Sequence, residues 1–422
     1  MKVLKQQLRK LTKEQYKIIK DFCHYSNNLY NCANYIVREY YKETNKYLGF
    51  KQLWREIKSN ENYKLLPAQS ATQIVKLADK NYRAYFALLK RKLSGGYNGE
   101  INIPKFRKKG DMYILIYTYQ TLTMPKIPKR PYISLNLSDE YKKRHNKDIK
   151  LRIPFTYNID GKVKQIIIKP FNKGQYFNLY ICYDENKKEA NHGLDKSKVC
   201  AIDFGINNLV TAVDTSGHSL IMNGKPLKSY NRWFNISRSA LQSELKLKNN
   251  RFWSKRLESQ SQKRFWYIDN YFNQITNKII KHCLHNKIGT LVVGYNEGWK
   301  QDINIGKINN QKFVYIPYYI LKRKLESKCQ EYGVDFILKE ESYTSKCSFL
   351  DNEEIEKHDS YLGKRIHRGL FKSSNGTLIN ADVNGAANIL RKVFPNAFAN
   401  GILDVRLHPI IINIFDNYKQ NE

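Results

Sequence analysis

The 422-residue chain has seven cysteines, at positions 23, 32, 182, 200, 283, 329 and 347, and no two of them form a C-x-x-C pair. An odd, unpaired set argues against a disulfide framework and for a reducing compartment. No apolar run approaches the ~18 residues that a membrane span needs. The opening Met1-Lys2-Val3-Leu4-Lys5 has no apolar signal core, so a cytoplasmic protein is expected. Internal repeats and low-complexity segments are missing too. Acidic residues are scarce: 38 Asp plus Glu face 73 Lys plus Arg, a formal charge of +35. Such a charge destabilises a compact chain by self-repulsion unless something anionic binds. Nucleic acid is the fitting partner, because each neutralised phosphate releases counterions. A membrane surface is not expected, since no compact basic amphipathic helix stands out. The basic residues run from Lys2 to Lys419, as suits a protein that holds nucleic acid on several faces.

Aromatic residues are plentiful, with 31 Tyr, and several lie beside Lys or Arg, as in Tyr82-Arg83-Ala84-Tyr85-Phe86. A base stacked on such a ring is worth ~1–3 kcal/mol, although most of these rings are expected to be half-buried core. The length predicts two to four domains. Residues 1–10 read as a short strand, and Thr12-Lys13-Glu14-Gln15 as a capping box that opens a helix. A second helix is expected from Ala68 to about Lys92, with Ile74, Ala78, Tyr82 and Leu89 on one face. Gly95-Gly96 breaks this helical module. A basic turn, Pro104–Gly110, and strands around 112–119 and 150–184 follow, with a turn at Pro170–Gly174. From Val199 strands and helices alternate. Three strands (199–203, 209–214, 219–222), a long helical stretch (232–287), a strand (290–294), a helix (318–331), a strand (334–339) and a last helix (384–393) give the order of an RNase H-like domain.

Two aspartates stand out. Asp203 ends the first of these strands in Ala201-Ile202-Asp203-Phe204-Gly205, where an ordinary turn is the plain alternative. Asp382 lies in Ala381-Asp382-Val383-Asn384-Gly385-Ala386-Ala387-Asn388, where a helix N-cap is the alternative. Gly385, Ala386 and Ala387 would let the last helix approach the sheet and bring Asp382 to the end of the first strand. Two carboxylates placed there repel unless they share a cation, and Mg²⁺ suits oxygen ligands.

In Ala201–Leu209, in Tyr343-Thr344-Ser345-Lys346-Cys347 and in Asn380–Leu390 the chain resembles the transposon-encoded TnpB proteins, relatives of compact type V CRISPR effectors. Weaker likeness covers Pro104–Lys109 and the helix near Gln69–Leu89. The resemblance implies a multidomain α+β protein. An RNase H-like (RuvC) α/β nuclease domain would occupy 196–341 and 381–422, a β-barrel wedge domain 1–10 and 99–195, and a helical recognition module 11–98. It implies an RNA-guided, Mg-dependent DNA endonuclease of the bacterial cytosol or nucleoid. The partners would be a guide RNA and a double-stranded DNA target read next to a short flanking motif. A homodimer is compatible with it. The implied site is Asp203, Asp382 and a Glu, holding two Mg²⁺ ions.

Two departures qualify this. The family places its Glu at the end of the fourth strand, where Leu291-Val292-Val293-Gly294 offers only Gly294. Parallel neighbouring strands lie ~4.8 Å apart, so a Glu just past the fifth strand could fill the vacancy. Glu341 is preferred, Glu340 and Glu297 are alternatives, and loss of the third carboxylate stays open. Loss would leave a guided DNA-binding protein that no longer cuts, acting like a repressor. Further, the family inserts two C-x-x-C pairs before the last Asp, whereas 342–380 holds only Cys347. That segment reads as a degenerate zinc-ribbon-like insert with no structural zinc, and residues 363–372 as a basic β-hairpin. Lys105, Arg107, Lys108, Lys109, Lys346, Lys364, Arg365 and Arg368 are the expected nucleic-acid contacts.

Overall fold

A computed structural model describes the chain except for residues 1, 125–131, 156, 158, 186–191, 296–315, 368, 397, 399–406, 408 and 416–422. It divides into two units, residues 1–188 and 189–422, described here one at a time.

The first unit opens with β1 (Lys2–Leu8) and α1 (Lys13–Thr44). The capping box forms as expected: the Thr12 hydroxyl accepts from the Gln15 N–H at 3.1 Å, and the Gln15 side chain accepts from the Thr12 N–H at 2.9 Å. Three helices follow, α2 (Phe50–Ile57), α3 (Glu61–Leu65) and α4 (Ala68–Leu93). Beyond them come β2 (Leu115–Thr118), β3 (Leu122–Thr123), β4 (Tyr132–Leu135), α5 (Asp139–Arg144), β5 (Leu151–Pro154), β6 (Gly161–Phe171) and β7 (Tyr176–Glu185). The described strands pair as two sheets, β1-β7-β6-β2 and β3-β4-β5, where one barrel was expected. A single core joins helices and strands, running through Phe22, Ile74, Tyr82, Tyr117, Ile166 and Ile181. The helical segment buries its apolar stripe against the strands, so it does not have a core of its own.

The second unit is built on a six-stranded sheet. Strands β8 (Asp195–Phe204), β9 (Asn208–Asp214) and β10 (Ser219–Asn223) form an antiparallel meander. Helices α6 (Lys225–Asn249) and α7 (Lys255–His285) lead to β11 (Ile288–Gly294), then α8 (Tyr318–Tyr332) and β12 (Asp335–Lys339). Strand β11 runs parallel to both β8 and β12. The expected continuous helix over 232–287 is two helices. Asn250 takes a left-handed conformation at the end of α6, and the Ser254 hydroxyl accepts from the Leu257 N–H at 3.1 Å to start α7. A small sheet, β13 (Lys364–His367), β14 (Leu370–Lys372) and β15 (Leu378–Asn380), precedes α9 (Ala381–Arg391), and β16 (Ile410–Ile412) pairs with β10. The predicted hairpin over 363–372 is β13–β14.

Side chains alternate across a strand, and this sorts the sheet into two faces. Cys200, Ile202, Leu291 and Val293 pack toward α7 and α8. Val199, Ala201 and Val292 pack against Ile389 and Leu390 of α9. Asp203 and Gly294 continue the second series, which places both on the α9 face. The 342–380 insert shares a core with the same face, through Phe349, Phe371, Ile379, Val213 and Ala386.

Candidate active site

Asp203 precedes Phe204 at the end of β8, and α9 crosses close to it. A Cβ on Gly385 would lie 3.0 Å from the Asp203 carboxylate, so glycine is what permits this approach. The cap of α9 is Asn380 and not Asp382. The Asn380 side chain accepts from the N–H groups of Asp382 at 3.0 Å and Val383 at 3.2 Å. Asp382 therefore sits in the first turn with its carboxylate released from capping. One of its oxygens accepts from the Asn208 amide at 2.7 Å, and the other lies 3.5 Å from the Arg365 guanidinium.

Glu341 and Glu340 follow β12 but have separate surroundings. The Glu340 carboxylate accepts from the Ser342 hydroxyl and pairs with Lys392 at 3.1 Å, and these contacts hold it below the usual carboxylate range. Glu341 goes the other way. Its Oε2 lies 2.9 Å from where a Cβ on Gly294 would stand, so its carboxylate fills the space that a fourth-strand side chain would take. Burial first, and then the charge of Glu340, push Glu341 up to about 7. Asp203 is raised well above the ordinary range, by burial first and then by the charges of Glu341 and Asp382, with Arg365 opposing. Asp203 thus feels the charges of both Glu341 and Asp382, while Glu340 reaches the group only through its neighbour Glu341. Glu297 lies outside the described residues, as does Arg368.

A cavity of about 410 Å³ opens beside Asp382, lined by Gly205, Asn207, Asn208, Lys225 and Arg365. Lys364 and Lys346 are exposed, and Lys346 lies over the Tyr361 ring at 5.7 Å. In the first unit Lys105, Lys108 and Lys109 are exposed. Arg107 is engaged internally: its guanidinium donates to Asn27 at 2.9 Å and to the Met112 carbonyl at 3.2 Å, and lies 4.0 Å from the centre of the Tyr113 ring.

Several supporting residues escaped sequence reasoning. Buried Asn388 donates to the carbonyls of Thr344 at 2.9 Å and Cys347 at 2.8 Å, and Asn384 donates to Cys347 at 2.9 Å. These two amides, one turn apart, fasten the Thr-Ser-Lys-Cys turn to α9. Their signal was present, as polar residues at i and i+4 on an otherwise small and apolar face. Buried Glu353 organises the insert by accepting from the N–H groups of Ser348 at 2.6 Å and Leu362 at 2.9 Å. A further cluster, Asp214, His218 and His282, lies beside Cys200 of β8, three residues before Asp203, with its ligand atoms within 4.8 Å of one another. Asp214 accepts from His282 Nε2 at 2.7 Å, while the Asn286 amide lies 3.1 Å from His282 Nδ1. No sequence pattern links positions 68 residues apart.

A family model described as "Probable transposase" matches residues 180–300, and one described as "Cas12f1-like, TNB domain" matches 318–389. The "TnpB-like protein ORF457" of Acidianus two-tailed virus is 24% identical over 405 residues, covering 87% of this chain and 81% of the relative. Over most of its length the chain is thus similar to a TnpB-like protein. It also shares its fold with the Cas12f1 protein solved by cryo-EM in a Cas12f1-sgRNA-target DNA complex. The TM-score is 0.55 at 17% identity, covering 90% of this chain and 83% of that one. Both family models lie almost wholly in the second unit, which holds Asp203, Glu341 and Asp382. No helix among the described residues is long and apolar enough to cross a membrane.

Proposed function

We propose that this chain is an RNA-guided endonuclease that hydrolyses phosphodiester bonds of target DNA next to a short flanking motif, with a divalent-metal site on Asp203, Glu341 and Asp382. The observation that carries the reading is Glu341, whose carboxylate lies in the space left by Gly294. An all-oxygen donor set of three carboxylates is chemistry for a hard cation. Asp203 is pushed upward by burial and then by the charges of Glu341 and Asp382, a repulsion that a shared cation removes. Three carboxylates of this kind are the donor set that two Mg²⁺ ions would share. When bound, such ions would supply an activated water and stabilise the leaving oxygen.

The chain's own residues orient the rest. Asn208 fixes one oxygen of Asp382. Arg365, on β13, neutralises the other and presents an exposed fork of donors suited to a phosphate. Lys346, Lys364, Lys105, Lys108 and Lys109 would contact backbone phosphates. The first unit would carry the guide RNA, with 11–98 as its recognition segment and the strands of 1–10 and 99–195 as its wedge. No side-chain nucleophile is required. A second reading, guided binding without cleavage, is favoured by Gly294 alone.

The test is plasmid cleavage by protein purified with RNA from its own locus, with Mg²⁺ and a randomised flank beside the matched target. Wild type should cut. Asp203→Asn and Glu341→Gln should each lose several kcal/mol of transition-state stabilisation, at least ~100-fold in rate, while guide and target binding persist. Wild type that binds its target and never cuts would establish the second reading.

A further inference from the structure

Strand β9 ends at Asp214, and a tight turn returns the chain to β10 at Ser219. Gly217 supplies the left-handed residue of that turn, at φ 84°, and the Asp214 N–H donates to the His218 carbonyl at 3.1 Å to close it. The Asp214 and His218 side chains are thereby set side by side. Asp214 faces α7, because Cys200, its partner across the strand pair, packs toward that helix. There His282, in the last turn of α7, meets it. The two carboxylate oxygens of Asp214 have different partners. Oδ1 accepts from the N–H groups of Ser216 at 2.9 Å and His218 at 3.1 Å, which fixes the group. Oδ2 faces the imidazoles: His282 Nε2 lies 2.7 Å from it, and His218 Nδ1 lies 3.1 Å from it and 3.2 Å from Oδ1. The two rings stand nearly perpendicular, at 87° with centres 5.8 Å apart, so their nitrogens converge from different directions. The Asp214 side chain is fully buried, while those of His282 and His218 are 15% and 48% exposed. The cluster is therefore closed toward the sheet and open to solvent at His218.

We propose that Asp214 Oδ2, His218 Nδ1 and His282 Nε2 bind a divalent ion of the Zn²⁺ type, with water as the fourth ligand on the open side. Two imidazoles and one carboxylate suit Zn²⁺, whereas Mg²⁺ takes oxygen ligands. A tetrahedral ion ~2.0–2.1 Å from each ligand atom holds those atoms ~3.3 Å apart, so the two contacts to Oδ2 need widen by only roughly 0.2–0.6 Å. His282 would then carry its proton on Nδ1, where the Asn286 side chain lies 3.1 Å away. In the ion-free arrangement the Asn286 amide nitrogen faces Nδ1 and donates to the His282 carbonyl at 2.9 Å. Binding turns this one side chain, whose oxygen then accepts the Nδ1 proton and fixes the ring. The ion clasps the β9–β10 turn to the end of α7, just before β11 starts at Ile288. The same turn is bonded to β8, the Thr215 N–H donating to the Val199 carbonyl at 2.9 Å. Asp214 pairs with Cys200, three residues before Asp203, which puts the clasp ~10 Å along β8 from that carboxylate. It lies outside the 342–380 insert and does not depend on the nuclease reading.

The full chain, stripped with a chelator and returned to excess Mg²⁺ so that the carboxylates are supplied, is titrated with Zn²⁺ and separately with Co²⁺. Wild type should bind one equivalent of either ion more than His218→Ala. The extra Co²⁺ should show tetrahedral absorption without a thiolate charge-transfer band. Zn²⁺ at about a hundred times its dissociation constant should raise the melting temperature of wild type by about 5–10 °C. His218 is the ligand to remove because its side chain is half exposed, so the fold should survive its loss. His218→Ala should bind Zn²⁺ at least ~100-fold more weakly and lose the Zn²⁺-dependent rise. His218→Gln repeats the test with the bulk of the side chain retained. Equal Zn²⁺ binding and an equal rise in wild type and both variants overturn the proposal and leave a hydrogen-bonded triad. A thiolate band places the ion on cysteine and overturns it as well. Whether wild type cuts DNA has no bearing on either result.

Discussion

A methyl group on Gly294 is the sharpest perturbation the site allows. In Gly294→Ala the new Cβ would lie 2.5 Å from Ile389 Cδ1 and 2.9 Å from Glu341 Oε2. Both are ends of flexible side chains, so the fold should accommodate the change at an overpacking cost of about 1–3 kcal/mol. In a unit of this size that lowers the melting temperature by about 2–4 °C per kcal/mol. The two conflicts can be separated. Ile389→Val removes Cδ1, the shortest apolar contact, and leaves only the Cγ1 carbon at 3.2 Å, at about 0.5–1.5 kcal/mol for the lost methylene, but leaves the clash with Glu341. Gly294→Ala/Ile389→Val should therefore recover the stability of Ile389→Val alone while its Mg²⁺ requirement rises and its cleavage falls ~10-fold or more, the equivalent of one lost or misplaced contact. Thermal melting and a Mg²⁺ titration of cleavage measure the two effects. A double variant with recovered stability, wild-type cleavage and wild-type Mg²⁺ dependence would refute the idea that Glu341 works from the space beside Gly294.

Other outcomes follow from the same geometry. A carboxyl raised in the folded state adds stability below its ordinary value and loses that contribution as pH rises through about 7. Without divalent ions the wild type should thus melt lower at pH 8 than at pH 6, and Glu341→Gln should flatten that difference; an unaltered difference would mean that Glu341 is not its source. Asp214 is pulled below the ordinary carboxylate range, because His282 and His218 outweigh its burial. Its contribution is present above the unfolded value near 4 and lost as pH falls through the lower folded one. Removing one partner of such a buried pair costs about 3–5 kcal/mol, so denaturant unfolding of His282→Ala at pH 7 should show a large loss that shrinks in acid. Asn388→Ala takes the amide donor from the buried Thr344 carbonyl, at about 1–3 kcal/mol, while the Cys347 carbonyl keeps that of Asn384. It should expose the Thr344–Cys347 turn to proteolysis, and wild-type resistance would argue that the clamp is dispensable.

Much of the second unit was legible because its signals are local. Strand alternation in Val199–Asp203, the small residues of α9 and the turn after β12 each describe a short piece of chain, and together they gave the strand order and the pair of aspartates. The capping box at Thr12 was readable for the same reason. What failed to show was set by partners far along the chain. Asn380 takes the cap that Asp382 could have taken, and only the packing decides between them. Glu340 and Glu341 are adjacent, and nothing local says which meets Lys392 and which faces Gly294. The break between α6 and α7 rests on Asn250 and Ser254, signals that a long amphipathic pattern had masked. In the first unit the described strands pair as two sheets between distant segments, pairings that no local pattern specifies.

The sheet order has a consequence for control. Among the described residues, strand β12 lies at the edge of the sheet, paired on one side only with β11. Edge strands have a free row of backbone groups and are among the first elements to open locally. Asp203 rides on an interior strand and Asp382 on a buried helix, but Glu341 hangs from the end of that edge. Fraying of β12 would therefore remove one carboxylate and leave two in place, switching the site off without unfolding it. Amide exchange along residues 335–339 would then follow the fraction of molecules able to cut.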